Sequence, residues 1–283
     1  MAEGSPGFQP GPRSRASRFR AFLHARPRLY RTARFLDRLA EPFAFQNPLG
    51  ILARYGRFFH EATRYGGLSG AEPVRVADLY PCLGDKLPST PVDPTYFYQD
   101  TWAARKLFAS RPRFHVDIGS TALLVGVLAQ FTRVCSLDIR PLTARVDGLV
   151  ACRGSVLALP LASRSVASLS SLCVLEHIGL GRYGDSLDPH GTDRAASEMQ
   201  RVLAPGGDLF LSVPVENRDR LYFNAHRAFS VASFLAKFPE LVLVDSAFVQ
   251  NHHFLPPGAP FDFGRHMVVG LFHLRRPRPG ESR

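Results

Sequence analysis

Val116-Asp117-Ile118-Gly119-Ser120 closes the apolar stretch that begins at Phe114, and its reading decides the fold. Phe114–Ile118 reads as a buried strand, and the Gly-Ser pair makes a tight turn into a helical run from Thr121 to about Gln130. In a doubly wound α/β sheet, ligands bind beyond the carboxyl ends of the strands. The first strand-to-helix turn therefore needs small residues that let backbone approach the ligand. An acidic residue at the end of the second strand, about 20 residues on, pairs with ribose hydroxyls. Asp138 ends the strand-like Arg133–Asp138 and lies 138 − 117 = 21 residues after Asp117. A pyrophosphate loop wants G-x-G-x-x-G, whereas only Gly119 precedes Ala122-Leu123-Leu124. The expected ligand is a nucleoside without phosphates, although a lone glycine between Asp and Ser also suits any strand-to-helix turn.

Working outward, the alternation continues. A short helix is expected after Asp138, then strand-like Leu149–Arg153 and Val166–Leu172, a Gly-rich loop, and a helix from Thr192 to Leu203. A Pro205-Gly206-Gly207 turn leads into the apolar run Asp208–Val213. Two more strand candidates, Leu241–Val249 and His266–Leu274, follow a helix opened by Ser230. Strands alternating with helices imply a parallel sheet covered on both faces, and a closing pair joined without a helix makes the last strand antiparallel.

Upstream, Asp93-Pro94 is a helix start, with Asp as N-cap and Pro in the first turn of a helix running through Trp102 to Phe108. Tyr96, Phe97, Tyr98 and Trp102 on this helix serve core packing or cover the ligand. Residues 66–92 carry too many Gly and Pro to be regular. Pro48–Arg64 reads as a helix with Ile51, Leu52, Tyr55, Phe58, Phe59 and Ala62 on one face. Arg18–Phe43 reads as a basic amphipathic helix broken at Pro27, and residues 1–17 as a disordered tail. The expected division is a tail (1–17), a basic helical extension (18–92), an α/β domain (93–275) and a short tail (276–283).

Composition supports a folded chain: of 283 residues, 45% are hydrophobic and 21% charged. Cys82, Cys135, Cys152 and Cys173 lack C-x-x-C or zinc spacing, so reduced core or pocket thiols are expected and no metal site. No run approaches the roughly 20 apolar residues of a membrane span, and the N-terminus lacks a secretory apolar stretch, which makes cytoplasm the default compartment. The net charge of +11 is uneven. Residues 1–70 hold twelve Arg against Glu3, Asp37, Glu41 and Glu61, so 12 − 4 = +8 lies there. That asymmetry suits an anionic neighbour, a membrane surface or nucleic acid, or else a solvated Arg-rich face.

Val116-Asp117-Ile118-Gly119, Asp138, Gly154-Ser155-Val156-Leu157-Ala158-Leu159-Pro160, Val174-Leu175-Glu176-His177-Ile178 and Arg201-Val202-Leu203-Ala204-Pro205-Gly206-Gly207 occur in this order. The series resembles the class I S-adenosylmethionine-dependent methyltransferases over about Tyr96 to Val249. The run Glu176-His177-Ile178-Gly179-Leu180-Gly181-Arg182-Tyr183-Gly184-Asp185, with Asn224-Ala225-His226-Arg227, looks like a branch of unknown function. The resemblance implies a Rossmann-like, mainly parallel seven-stranded sheet and S-adenosyl-L-methionine as cofactor. By it, Asp117, Gly119 and Ser120 line the methionine end, with Thr121, Leu172 and Cys173 beside them. Asp138 holds the ribose with Ile139 next to it, and Ser155 and Val156 face the adenine. The sequence departs from the family in its single glycine and in Ser155, where Asp is usual. A neutral acceptor in place of an ionised one costs on the order of 1 kcal/mol.

On the acceptor side, a hydroxyl needs a base for its proton, and His177, His226 and Asp185 are the candidates. Each also has a structural use: His177 at a strand end, Asp185 in a turn, His226 as a cap near Asn224. Arg182, Tyr183 and Asn224 are candidate substrate contacts, a set that donates and accepts hydrogen bonds and suits a sugar or other glycan-like acceptor. Arg182 and Tyr183 also suit a cation–π pair that stiffens the loop. The competing readings are a nucleic-acid methyltransferase gripping phosphates through the basic N-terminus and a binding protein that kept the fold without the chemistry.

Overall fold

A computed structural model describes residues 48–263 and 267–281. The expected tail at 1–17 and helix at 18–43 lie outside the described residues. The chain divides at Pro91 into two compact units. In the first, helix α1 (Pro48–Gly66) is followed by irregular backbone with one 3-10 turn at Val76–Asp78. This matches the expected helix and the Gly/Pro-rich stretch after it.

The second unit opens with α2 (Pro94–Ser110), where the Asp93 carboxylate accepts from the backbone N–H groups of Thr95 and Tyr96 at 2.8 and 2.9 Å. Three strands follow, β1 (Phe114–Ile118), β2 (Arg133–Asp138) and β3 (Leu149–Arg153), with α3 (Ala122–Leu128) between the first two. Thr121 caps α3 by accepting from Leu124 N–H. The chain continues through β4 (Val166–Leu172), α4 (Gly191–Val202) and β5 (Leu203–Val215). A small hairpin, β6 (Arg220–Tyr222) and β7 (His226–Ala228), leads to α5 (Val231–Leu235), capped by Ser230. The last strands are β8 (Val242–Gln250), β9 (His253–Phe254) and β10 (Val268–Arg275).

The sheet order is β3-β2-β1-β4-β5-β10-β8-β9. The first five strands run parallel, and β10 enters antiparallel to both β5 and β8. Three expectations are corrected. The sheet has eight strands, not seven, because the chain after β8 folds back through Asn251 and His252, both at left-handed φ, and pairs two further residues. Residues 139–148 form no helix; Pro141 removes a backbone donor there and Gly148 sits at φ +79°. Pro205-Gly206-Gly207 is no separate turn but an irregularity inside β5, where pairing with β4 jumps from Val166–Leu203 to Ser168–Asp208.

Alternate side chains of the central strands feed two cores. On one face Met199, Ala195 and Val202 of α4 pack on Val116, Leu169, Leu209 and Phe272. On the other, Trp102 and Leu107 of α2 and Leu124 and Leu128 of α3 pack on Val134, Phe210 and Leu271. Trp102 meets Phe210 edge-on at 6.0 Å, whereas Tyr96 and Phe97 of the same helix stay exposed. All four cysteines are free; Cys82 is exposed rather than in the core, and Cys135 Sγ lies 3.4 Å from Cys152 Sγ.

Candidate active site

The carboxyl ends of β1, β2 and β4 open into a pocket of about 250 Å³. Gly119 forms its floor at φ +67°, a conformation that disfavours any side chain. A Cβ there would stand 3.2 Å from Val174 Cγ2 and 3.4 Å from Asp138 Oδ2. The glycine is thus required twice, by backbone angle and by space. Its N–H donates to Leu137 O at 3.0 Å, which ties the ends of β1 and β2 together.

Around Gly119 the pocket is lined by Ser120 and Thr121 on one side, and by Asp138, Ile139, Ser155 and Val156 on the other. Leu172, Cys173, His177, Tyr183 and Asp185 complete the wall among the residues singled out from sequence. Asp138 accepts the Arg140 N–H at 2.7 Å through Oδ1. Ser155 Oγ accepts from Leu157 N–H at 3.2 Å, so part of its accepting capacity shapes its own turn. Thr121 Oγ1 donates to Asp100 Oδ2 at 2.7 Å. Burial raises the Asp100 carboxyl above its ordinary value.

Asp117 does not reach the pocket. It is fully buried beneath the turn, where Ser120 donates to it through both N–H (3.1 Å) and Oγ (2.6 Å), and Ser170 Oγ donates to Oδ2. Desolvation pushes its pKa up to about 6. Its place is to hold the Ser120 turn rather than to touch a ligand.

His177 follows β4 and its Nδ1 lies 2.7 Å from Ala225 O. A carbonyl only accepts, so Nδ1 carries the proton and Nε2 is the free acceptor. Burial lowers the His177 pKa to about 4, which leaves the ring neutral near pH 7. Arg182 Nη1 donates to the same Ala225 O at 2.8 Å. Tyr183 stands edge-on to His177 at 5.3 Å and carries guanidinium groups on its ring, Arg140 at 4.5 Å and Arg182 at 5.1 Å. The cation–π use of Arg182 is therefore present, and Arg182 itself does not line the pocket.

Asp185 lines the pocket, but Oδ2 accepts from Gly179 N–H at 2.7 Å and Oδ1 from Tyr183 N–H at 3.3 Å. Both oxygens brace the loop, the turn role that its sequence position also suits. His226 and Asn224 lie on the β6–β7 hairpin outside the pocket lining; His226 packs on Tyr222 at 5.1 Å and Asn224 is exposed.

Several site residues escaped the sequence reading. Glu176 was visible only as part of a motif. It is 2% exposed, its Oε1 lies 3.7 Å from His177 Nε2, and its Oε2 is buried without a hydrogen-bond partner. Burial drives its pKa up to about 8. The neighbouring Cys173, at φ +53°, has its Sγ 3.4 Å from Ser212 Oγ, and its thiol is pushed well above the ordinary range by burial. Arg140 lines the rim. Arg227 pins the loop after His177 by donating to Ile178 O at 2.6 Å and Asp188 O at 3.4 Å.

Residues 162–239 match the family model described as "Caenorhabditis protein of unknown function, DUF268", a stretch from just before β4 to just after α5. No curated protein matches the chain. Among solved structures, the N-methyltransferase NodS from Bradyrhizobium japonicum WM9 with S-adenosylhomocysteine is similar at 17% identity and a TM-score of 0.49, over 78% of this chain and 99% of that one. A putative sarcosine dimethylglycine methyltransferase from Galdieria sulphuraria gives 16% and 0.47 over 64% and 86%. The 1,6-didemethyltoxoflavin-N1-methyltransferase of Burkholderia thailandensis gives 19% and 0.44 over 68% and 93%.

Proposed function

We propose that this chain is an S-adenosylmethionine-dependent methyltransferase acting on a hydroxyl of a polar small molecule or glycan. The observation that carries the cofactor half is the pairing of Gly119 with Asp138: a left-handed glycine whose missing Cβ leaves the ground between Val174 and the Asp138 carboxylate open. The residues fit a nucleoside. Asp138 would accept from ribose hydroxyls, Ser155 and Val156 would meet the base, and Ser120, Thr121, Leu172 and Cys173 would surround the amino-acid end. When bound, the cofactor supplies a sulfonium-activated methyl group for direct displacement.

The chain's own part is positioning and proton transfer. His177, held through Nδ1, keeps Nε2 unprotonated and available to an acceptor hydroxyl. Tyr96 and Tyr183 supply ring surface at the same pocket, and Arg140 a cation at its rim, a mixture that suits a hydroxyl-rich acceptor.

Calorimetry of the full chain with S-adenosylhomocysteine tests the cofactor half. One-to-one binding, weakened at least about tenfold in Asp138→Ala, is expected, since a lost charge-assisted pair is worth roughly 1.5–3 kcal/mol. A folded protein that takes up no ligand overturns the proposal in favour of a binding module without methyl transfer. Labelled S-adenosylmethionine with fractionated cell extract then identifies the acceptor by which fraction gains label, and label in RNA alone overturns the hydroxyl-acceptor half.

A further inference from the structure

Helix α1 has its apolar surface in the wrong place for a globular protein. Among its described side chains none is buried, in contrast to α4, where Ala195, Met199 and Val202 are fully enclosed. Tyr55, Phe58, Phe59, Ala62 and Tyr65 recur at three- and four-residue spacing and so share one face. The rings pack on one another, Tyr55 on Phe59 at 6.3 Å and Phe58 on Phe59 at 5.4 Å, yet Phe59 remains 53% exposed and Tyr65 45%. The other face carries Arg54, Arg57, His60, Glu61 and Arg64. Its single acid is neutralised by Lys86, whose Nζ lies 2.6 Å from Glu61 Oε1. Three arginines are left to set the sign.

A 19-residue helix is about 28 Å long and marginal in water unless its apolar stripe is covered. Charge decides what covers it. The helix belongs to the segment 1–70, which holds twelve Arg, no Lys and only four acids, 12 − 4 = +8. Two copies pressed together through such segments would repel. An anionic surface with an apolar interior answers both faces at once: aromatic rings enter at headgroup depth, and arginines on the flanks reach phosphates along their apolar stems. Apolar burial and electrostatic attraction together give the two signals that stable peripheral binding requires. Among the described residues no helix is long and apolar enough to cross a membrane.

We infer that α1 is an in-plane anchor that lays its Tyr55–Phe59–Tyr65 face on anionic lipid and so brings the chain to a membrane surface. The inference is independent of the methyl-transfer reading.

The test is flotation of the full chain with vesicles of phosphatidylcholine alone and of phosphatidylcholine mixed with phosphatidylserine. Binding to the mixed vesicles is expected to exceed that to the neutral ones by about tenfold or more and to weaken with salt. Phe59→Asp is expected to abolish flotation, Phe59→Leu to keep it, and Arg57→Glu to reduce it. Unchanged circular dichroism in each variant separates loss of docking from loss of fold. Flotation on neither vesicle, or flotation indifferent to Phe59→Asp, overturns the inference. So does a concentration-dependent dimer that Phe59→Asp dissolves, or tight RNA binding that the arginine variant loses while vesicles are ignored.

Discussion

His115 and Asp117, on the same strand and both fully buried, share the hydroxyl of Ser170. Ser170 gives its proton to Asp117, so at its 2.8 Å contact with His115 Nε2 it accepts, and His115 carries its proton on Nε2. Nδ1 then accepts from Ser168 Oγ at 2.8 Å. Desolvation lowers the His115 pKa from 6.5 to about 3 and raises that of Asp117 from 3.8 to about 6. The histidine's contribution to stability is whole above pH 6.5 and is lost as pH falls toward 3. The aspartate's is whole below pH 3.8 and is lost as pH rises through 6. Between about pH 4 and 6 folding moves one proton from His115 to Asp117, the bound-proton count does not change, and the pair adds almost no pH slope. Removing either partner unmasks the other. Asp117→Asn is expected to lose stability as pH falls from 6 to 4, and His115→Phe to lose it as pH rises over the same window, each by up to about 1.4 kcal/mol per pH unit relative to wild type. Urea titrations at pH 4.5 and 6 check this, and identical slopes in all three proteins would refute it.

Gly119→Ala meets both a positive φ and a crowded neighbourhood, with Val174 at 3.2 Å and Asp138 Oδ2 at 3.4 Å from the new methyl. The strain is local to the pocket floor and costs roughly 1–2 kcal/mol. The fold should survive with a melting temperature lower by a few degrees, while affinity for S-adenosylhomocysteine falls by more than about tenfold. Binding equal to wild type would show that the glycine serves the turn alone.

Glu176 and His177 make opposite predictions from one cause, burial. The Glu176 carboxyl, raised to about 8, contributes most below pH 4.5 and loses that contribution as pH rises through 8. Glu176→Gln, which cannot ionise, should therefore gain stability relative to wild type between pH 6 and 9, by as much as about 1.4 kcal/mol per pH unit at the start of that range. His177, with its pKa near 4, is neutral throughout, so carbon-labelled imidazole resonances should show no titration above pH 5.5. A His177 titration centred near 6.5 would mean the ring is not enclosed as described.

Most of the sheet was legible because β1, β2 and β3 are short, mainly apolar runs that end at Gly119, Asp138 and Gly154, and β1, β2, β3 and β4 span the expected residues. What was not legible depends on neighbours distant in sequence. β9 exists only because Asn251 and His252 turn the chain back on β8, and no periodicity marks two residues. The pocket-lining residues were readable because the topology gathers strand ends together. Asp117 was misplaced because a motif gives order but not depth. His115 left a signal that went unused: with Ser168 and Ser170 it places polar groups at alternate positions of two adjacent buried strands, a pattern that requires them to satisfy one another. Glu176 left none, since burial of a carboxylate beside a pocket cannot be read from spacing.

Arg227 holds the loop that lines one side of the pocket. The loop from Ile178 to Asp188 carries Tyr183 and Asp185 to the pocket, and four glycines, Gly179, Gly181, Gly184 and Gly191, border or interrupt it. Its internal ties are the Asp185 carboxylate and the Asp188–Gly179 backbone bond at 3.0 Å. Its ties to the hairpin are Arg182, which donates to Ala225 O at 2.8 Å, and Arg227, whose guanidinium donates to Ile178 O and Asp188 O while its own N–H donates to Glu176 O at 2.8 Å. Arg227→Ala leaves the Ile178 carbonyl unpaired in a half-buried place, at about 1–3 kcal/mol, while Asp188 O keeps the Gly191 N–H at 3.1 Å; Arg227→Lys restores one bond at most. Limited proteolysis should therefore cleave after Arg182 faster in the Ala variant, with Lys intermediate, while S-adenosylhomocysteine affinity changes by less than about threefold because Gly119 and Asp138 lie on other elements. A variant as resistant as wild type would mean that Asp185, Arg182 and the Asp188–Gly179 bond hold the loop without Arg227.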